Sequence, residues 1–198
     1  NEWSDTITPR HSLFDLRLKA VWDYRDLLFM FIKRDFVANF KQTILGPLWF
    51  IIQPLFTALM FTLVFGKFAR ISTDGQPRML FYMSGITIWN YFADCFSKTS
   101  SVFTSNAGIF GKVYFPRLIM PLAIVTSGLI RFSIQFALFS GFLIYFQTKP
   151  NNIAHPNWYA LLTPLLVILM AGFALGAGMI ISAMTTKYRD FTYLVSFG

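Results

Sequence analysis

The feature that most constrains this chain is the recurrence of long stretches without a charged side chain. Leu48 to Phe65 has none, and the run reaches Phe68 if Lys67 lays its stem along apolar surface. Met79 to Ala93 is also free of charge and continues to about Ser97 if Asp94 is tolerated. Leu118 to Thr148 is broken only by Arg131, and Trp158 to Thr186 by nothing. Another apolar stretch begins at Phe191. A helix that crosses hydrocarbon needs about 20 mostly apolar residues at ~1.5 Å each. In a chain of 198 residues surface dominates, so four such segments cannot all be the interior of a water-soluble fold. The short alternating segments of a membrane barrel are absent.

The expected fold is therefore all-α, a polytopic membrane helical bundle. Residues 1–47 are expected to form a cytoplasmic N-terminal segment with an interface helix. Residues 48–198 are expected to form a transmembrane domain of four spans and the start of a fifth. The first residue is not methionine and the last apolar stretch is cut short, which reads as a piece of a longer chain.

Seventeen Lys and Arg against nine Asp and Glu give a formal charge of +8. In a soluble protein that excess would raise the question of nucleic acid. Here only 13% of residues are charged, and they fall between the apolar runs. No nucleic-acid partner is expected; membrane lipid is. Cys95 stands alone, which excludes an intrachain disulfide or thiolate metal site. The polar start lacks the apolar centre of a signal peptide.

Basic loops orient the chain. Lys33, Arg34 and Lys41 precede the first span, Lys98, Lys112 and Arg117 separate the second from the third, and Lys187 and Arg189 follow the fourth. With alternating spans these lie on one side, which the positive-inside bias makes cytoplasmic. Lys67, Arg70 and Arg78 in the first outer loop oppose the bias. A multi-pass membrane location with a cytoplasmic N-terminus is the resulting expectation. Trp22 to Gln42 has helix-length continuity. It fits a helix in the interface with Phe29, Phe36 and Phe40 dipping inward, or an ordinary solvated helix. Gly46-Pro47 then makes an elbow, because proline suits the first helical turn, where its missing N–H would be unpaired anyway. Trp49 falls at the level of an aromatic belt, and Pro54 is expected to bend the first span.

Asp94 and Arg131 are the charges nearest the membrane interior, where charge is costly and faces protein or a water-filled route. Measured from Met79, Asp94 lies about 22 Å down; measured from Arg117, Arg131 lies about 21 Å up. In a core ~30 Å thick these heights differ by roughly 12 Å, so separate roles are expected, with Asp94 near the cytoplasmic face. Arg131, Asn90 and Gln135 are the candidate substrate-path residues, the two amides serving otherwise as helix-to-helix hydrogen bonds. Gly172, Gly176, Ala177 and Gly178 read as a close-packing face. His11 and His155 fall on opposite sides, and neither Gly-Lys pair follows a glycine-rich approach. Neither metal chemistry nor a nucleotide phosphate loop is indicated. Any ATP would be hydrolysed elsewhere.

Four strings acquire meaning together: "FIKRDFVANFKQTILGPLWFIIQPL", "YMSGITIWNYFADCF", "NAGIFGKVYFPRLIMP" and "KYRDF". From about residue 22 onward the chain resembles the membrane subunit of bacterial polysaccharide ABC exporters, the ABC-2 type that exports O-antigen, teichoic acid or capsule-like glycans. Leu45, Gly46 and Trp49 match the family's elbow, with Arg34 and Lys41 in the basic segment before it. Gly85 and Trp89 match its second span. Lys112, Val113, Phe115, Pro116 and Arg117 match its next loop, and Tyr188, Arg189 and Asp190 its triplet after the fourth span.

That resemblance implies a non-enzymatic permease of six spans, placed in the bacterial inner membrane and working as a homodimer. It implies a separate ATP-binding cassette subunit that holds ATP and magnesium, and a glycan substrate on an undecaprenyl-diphosphate lipid. It also implies that the loop from Ser105 to Arg117 contacts the ATPase, through Ile109, Phe110, Lys112, Phe115, Pro116 and Arg117. A permease for drugs or small hydrophobic compounds, an integral-membrane enzyme acting on lipid-linked sugars, and a scaffold without transport are the alternatives.

Overall fold

The computed structural model describes residues 18–41, 44–73, 75–148, 158–188 and 190. Both histidines, Arg189, residues 149–157 and the apolar run from Phe191 lie outside the described residues. Among the described residues every regular element is helical: α1 (Leu18–Asp23), α2 (Arg25–Phe40), α3 (Trp49–Phe61), α4 (Arg78–Ser100), α5 (Val102–Ser105), α6 (Ala107–Phe110), α7 (Ile119–Gln147) and α8 (Thr163–Lys187). A 3-10 turn, Gly46–Leu48, leads into α3, and a π-helical stretch, Thr62–Phe68, extends it.

Three helical segments are long and apolar enough to cross a membrane: Gly46–Phe68, Ile119–Gln147 and Trp158–Lys187. The segment expected as the second span, α4, has 23 residues but is less apolar than these. Its polarity follows from its position. It packs against α3, α7 and α8, so Thr87, Thr99 and Ser100 meet protein and are buried. Where a helix is enclosed by others, lipid no longer demands an apolar surface.

The contacts of α4 fix directions. Against α7 the pairings run in opposite order: Cys95 meets Gly128, while the Tyr91 ring lies 5.4 Å from Phe132. Against α8 they run in the same order: Phe92 stacks on Phe173 at 5.7 Å, and Thr185 Oγ1 donates to the Ser100 carbonyl at 3.2 Å. Thus α4 is antiparallel to α7 and parallel to α8. Two glycines permit the close approaches. A Cβ on Gly178 would stand 2.7 Å from Thr99 Cβ, and one on Gly128 would stand 2.7 Å from Cys95 Sγ. Gly172 and Gly176 have open space beside them, so of the three glycines on the small-residue face expected on α8 only Gly178 meets a neighbour closely.

The elbow forms as its residues require. Gly46 has φ +46°, a left-handed conformation that a residue without Cβ adopts at little cost, and Pro47 starts the turn. Leu48 N–H closes the turn on the Leu45 carbonyl at 3.0 Å. Pro54 lies inside α3 and is buried. Before the elbow, α2 packs on α7 through Leu28, Phe31 and Ile32, a stripe at helical spacing. Phe29 is on the opposite, exposed face, Phe36 is partly buried, and the Phe40 side chain is outside the described set.

Candidate functional site

Polar side chains gather where α3, α4 and α7 meet. Asn90 and Asp94 are four residues apart on α4, as are Arg131 and Gln135 on α7, so each pair shares one helical face. Both faces, with Phe50 and Gln53 of α3, line a cavity of about 270 Å³. The three residues singled out as a substrate path, Arg131, Asn90 and Gln135, are thus brought together.

Arg131 and Asp94 are not separate. Arg131 Nη1 lies 3.0 Å from Asp94 Oδ2. The height argument failed at its starting points, the boundaries assumed at Met79 and Arg117: the Tyr91–Phe132 and Cys95–Gly128 pairings set position 94 opposite about position 129, so the two backbones differ in height by only about 3 Å. Helical side chains lean toward their own helix N-terminus. In antiparallel α4 and α7, Asp94 therefore leans toward the Arg78 end and Arg131 toward the Ile119 end, so the two converge. The arginine stem closes the remainder. Lys98, one turn after Asp94 on α4, holds both carboxylate oxygens, at 2.8 Å from Oδ1 and 3.1 Å from Oδ2. The Arg131 guanidinium also lies over the Phe50 ring, 5.6 Å from its centroid. Cation–π attraction gains strength where water is scarce, and the Arg131 side chain is only 20% exposed.

A second cavity of about 270 Å³ lies between α2 and the α4–α7 pair, with Arg34, Asp35, Lys98, Asn106 and Ser127 in its wall. Arg131 lines both cavities. The sequence signal for this arrangement was two stripes at four-residue spacing, 90-94-98 and 127-131-135, facing one another.

The remaining expected site residues fall in two other places. At the elbow, Arg34 forks onto Asp35 Oδ1 at 2.8 and 3.0 Å and covers the Phe31 ring at 4.8 Å. Lys41, Leu45 and Trp49 are exposed. In the loop before α7, the apolar edge expected to face a partner is turned inward. Phe115 is buried, stacks on Phe110 at 5.2 Å, and meets Phe31 at 5.8 Å. Ile109 and Pro116 are partly buried. Exposed instead are Gly111, Lys112, Val113, Tyr114 and Arg117. An aromatic core thus lies under a basic, exposed tip. Among the described residues no three His, Cys, Asp or Glu come together to hold a metal ion.

Antiparallel and parallel apolar helices around a polar hub, with a charged cavity inside, define a multi-pass membrane protein. The chain belongs to the ABC-2 type transporter family, whose profile matches residues 26–198. It is 26% identical to the O-antigen export system permease protein RfbA of Myxococcus xanthus over 181 residues, 90% of this chain and 66% of that protein. It is 27% identical to a Klebsiella pneumoniae protein of the same name over 173 residues, 87% of this chain and 64% of that one. A further Klebsiella pneumoniae protein of that name gives the same figures. The chain therefore spans less than two-thirds of the length of these relatives.

Proposed function

We propose that the protein is the membrane subunit of an ATP-driven exporter that moves a lipid-linked polysaccharide across the bacterial inner membrane. The relatives' printed role in O-antigen export supports the substrate class. The observation that carries the reading is the charged cavity: Arg131 is held among apolar helices, with the amides of Asn90 and Gln135 in the same wall. A cation at that depth suits an anionic group in transit, and a guanidinium suits phosphate oxygens in particular. The glycan of such a substrate is joined to its lipid through a diphosphate.

In this reading α4 is also a span, since it runs parallel to apolar α8 and packs along it. The N-terminus, the 101–118 connection and Lys187 then face the cytoplasm. The exposed tip from Gly111 to Tyr114, with Arg117, docks on a separate ATP-binding cassette subunit, which holds ATP and magnesium. Two copies of the permease form the working unit. The elbow around Leu45, Gly46 and Trp49 sets α2 at the membrane surface.

The test uses the whole permease with its ATP-binding cassette subunit, reconstituted in lipid. Lipid-linked glycan should stimulate ATP hydrolysis, and small hydrophobic compounds should not. The opposite pattern would favour a permease for hydrophobic compounds. That second reading has one observation behind it, an apolar groove of about 460 Å³ between α7 and the start of α8, walled by Phe132, Phe136, Leu161 and Ile168.

A further inference from the structure

The charges at the site do not cancel. Arg131 and Lys98 share one carboxylate, Asp94, leaving one positive charge in excess within the triad. The cavity walls also hold Arg34 and Asp35, one charge of each sign, paired at 2.8 Å. Lys98 holds both oxygens of Asp94 from its own helix and with a hydrogen bond, whereas Arg131 approaches from a different helix, with its contact at 3.0 Å to Oδ2. The two contacts are thus unequal. If Arg131 turns away, Asp94 keeps a cation on both oxygens and is not left as an unpaired charge, which in a poorly hydrated setting is the costly outcome. If Lys98 turns away, Asp94 keeps only the contact that crosses between helices. The geometry favours release on the Arg131 side. Arg131 is also the residue that lines both cavities.

We propose that Asp94 is a built-in competitor for Arg131: a resident carboxylate that holds the guanidinium between the two cavities and passes to Lys98 alone when an anionic group of the ligand arrives. Asp94 is then a positioning residue. It keeps Arg131 neutralised and aimed while the site is empty, and it sets a threshold that a neutral lipid cannot meet. A phosphate or diphosphate group displaces it, because several charged oxygens offer the guanidinium fork a bidentate contact free of the competition that Lys98 brings to the Asp94 carboxylate. Transfer of Arg131 from carboxylate to ligand removes the cross-link between α4 and α7 at this level and joins the two cavities into one route. The inference rests on the proposed passage of an anionic lipid-linked substrate beside Arg131.

The diagnostic variant is Asp94→Asn combined with Lys98→Met. It removes one charge of each sign, so the net charge of the site stays as it was while Arg131 loses its competitor. Binding of a fluorescent polyprenyl diphosphate to the full-length permease in lipid nanodiscs is measured, with the uncharged polyprenol as control. A pair closed nine-tenths of the time taxes ligand affinity about tenfold, so the double variant should bind the diphosphate about tenfold more tightly. The gain should vanish when Arg131→Gln is added. Unchanged or weaker diphosphate binding by the folded double variant overturns the proposal, as does a gain that survives Arg131→Gln. If the double variant does not fold, Lys98→Arg carries the test. It keeps every charge and gives Asp94 a forked partner on its own helix, so binding should tighten; equal or weaker binding overturns the proposal. If the unmodified protein binds diphosphate and polyprenol alike, the anionic-substrate reading itself falls, and this inference with it.

Discussion

Gly178 of α8 faces Thr99 of α4 so closely that a methyl group added to the glycine would stand 2.7 and 2.8 Å from two carbons of the threonine side chain. Thr99 is fully buried, and its hydroxyl has no hydrogen-bond partner. The contact joins the polar hub helix to its apolar parallel neighbour just below the charged cavity. Gly178→Ala overpacks it and should lower stability by about 1–3 kcal/mol. Thr99→Gly should recover part of the loss when combined with it, since the two residues share one contact. Thr99→Val, which exchanges an unpartnered hydroxyl for a methyl of the same shape, should leave stability unchanged or raise it. Thermal unfolding of the purified protein, followed by loss of its monodisperse peak, reads all three. Destabilisation by Thr99→Val equal to that by Gly178→Ala would show that the hydroxyl has a partner.

The orientation has its own check. Gln76 and Gly111 are both exposed, the first between α3 and α4 and the second before α7. Thr73 is unsuitable as a probe because it is buried. A cysteine at Gln76 should react with an impermeant thiol reagent on intact spheroplasts, and a cysteine at Gly111 only after the membrane is opened. Cys95 is fully buried and serves unmodified as the silent background. Labelling of Gly111→Cys in closed cells, with Gln76→Cys protected, would invert the topology.

Coupling to the ATPase subunit is expected at the exposed tip of the loop rather than at its aromatic core. Lys112→Glu with Arg117→Glu should weaken copurification of the ATPase while leaving the permease folded, because reversed charge at an interface disfavours docking. Tyr114→Ala should act in the same direction, as its ring is 77% exposed with no core to lose. Phe115→Ala should instead destabilise the permease itself, by about 3–5 kcal/mol for a buried phenylalanine. Normal ATPase copurification with the charge-reversed tip would remove this loop from the interface.

The helical bundle was legible because its main signal, the absence of charge over membrane-length runs, does not depend on tertiary context. The Leu45-Gly46-x-x-Trp49 elbow was legible for a local reason: a glycine with positive φ followed by a proline permits few other structures. Which glycines pack was not legible. Gly172 and Gly178 sit on the same span, and only the rotation of α8 about its axis decides that the second meets Thr99. The Asp94–Arg131 pair was missed because heights were counted from boundaries assumed at Met79 and Arg117, whereas the register of α4 against α7, seen in the Tyr91–Phe132 and Cys95–Gly128 contacts, sets the two positions nearly level. The stripe of Leu28, Phe31 and Ile32 on α2 was overlooked because the other face of that helix, with Phe29, Met30 and Val37, is apolar as well. With apolar residues on both faces, periodicity no longer identifies the packed side.

The central claim is that Arg131 meets the anionic group of the transported lipid, and substrate-stimulated ATP hydrolysis tests it most directly. The measurement compares unmodified, Arg131→Lys and Arg131→Gln permease in full-length complexes with the ATPase subunit, normalised to folded protein. Lysine keeps the charge but loses the two-pronged contact, and glutamine loses the charge. Stimulation by lipid-linked glycan should fall from Arg to Lys to Gln, with about a tenfold or greater loss at Gln, in the range of ~1.5–3 kcal/mol for a hydrogen bond to a charged group. Equal stimulation in all three variants would contradict the account and leave Arg131 as a structural tie between α4 and α7.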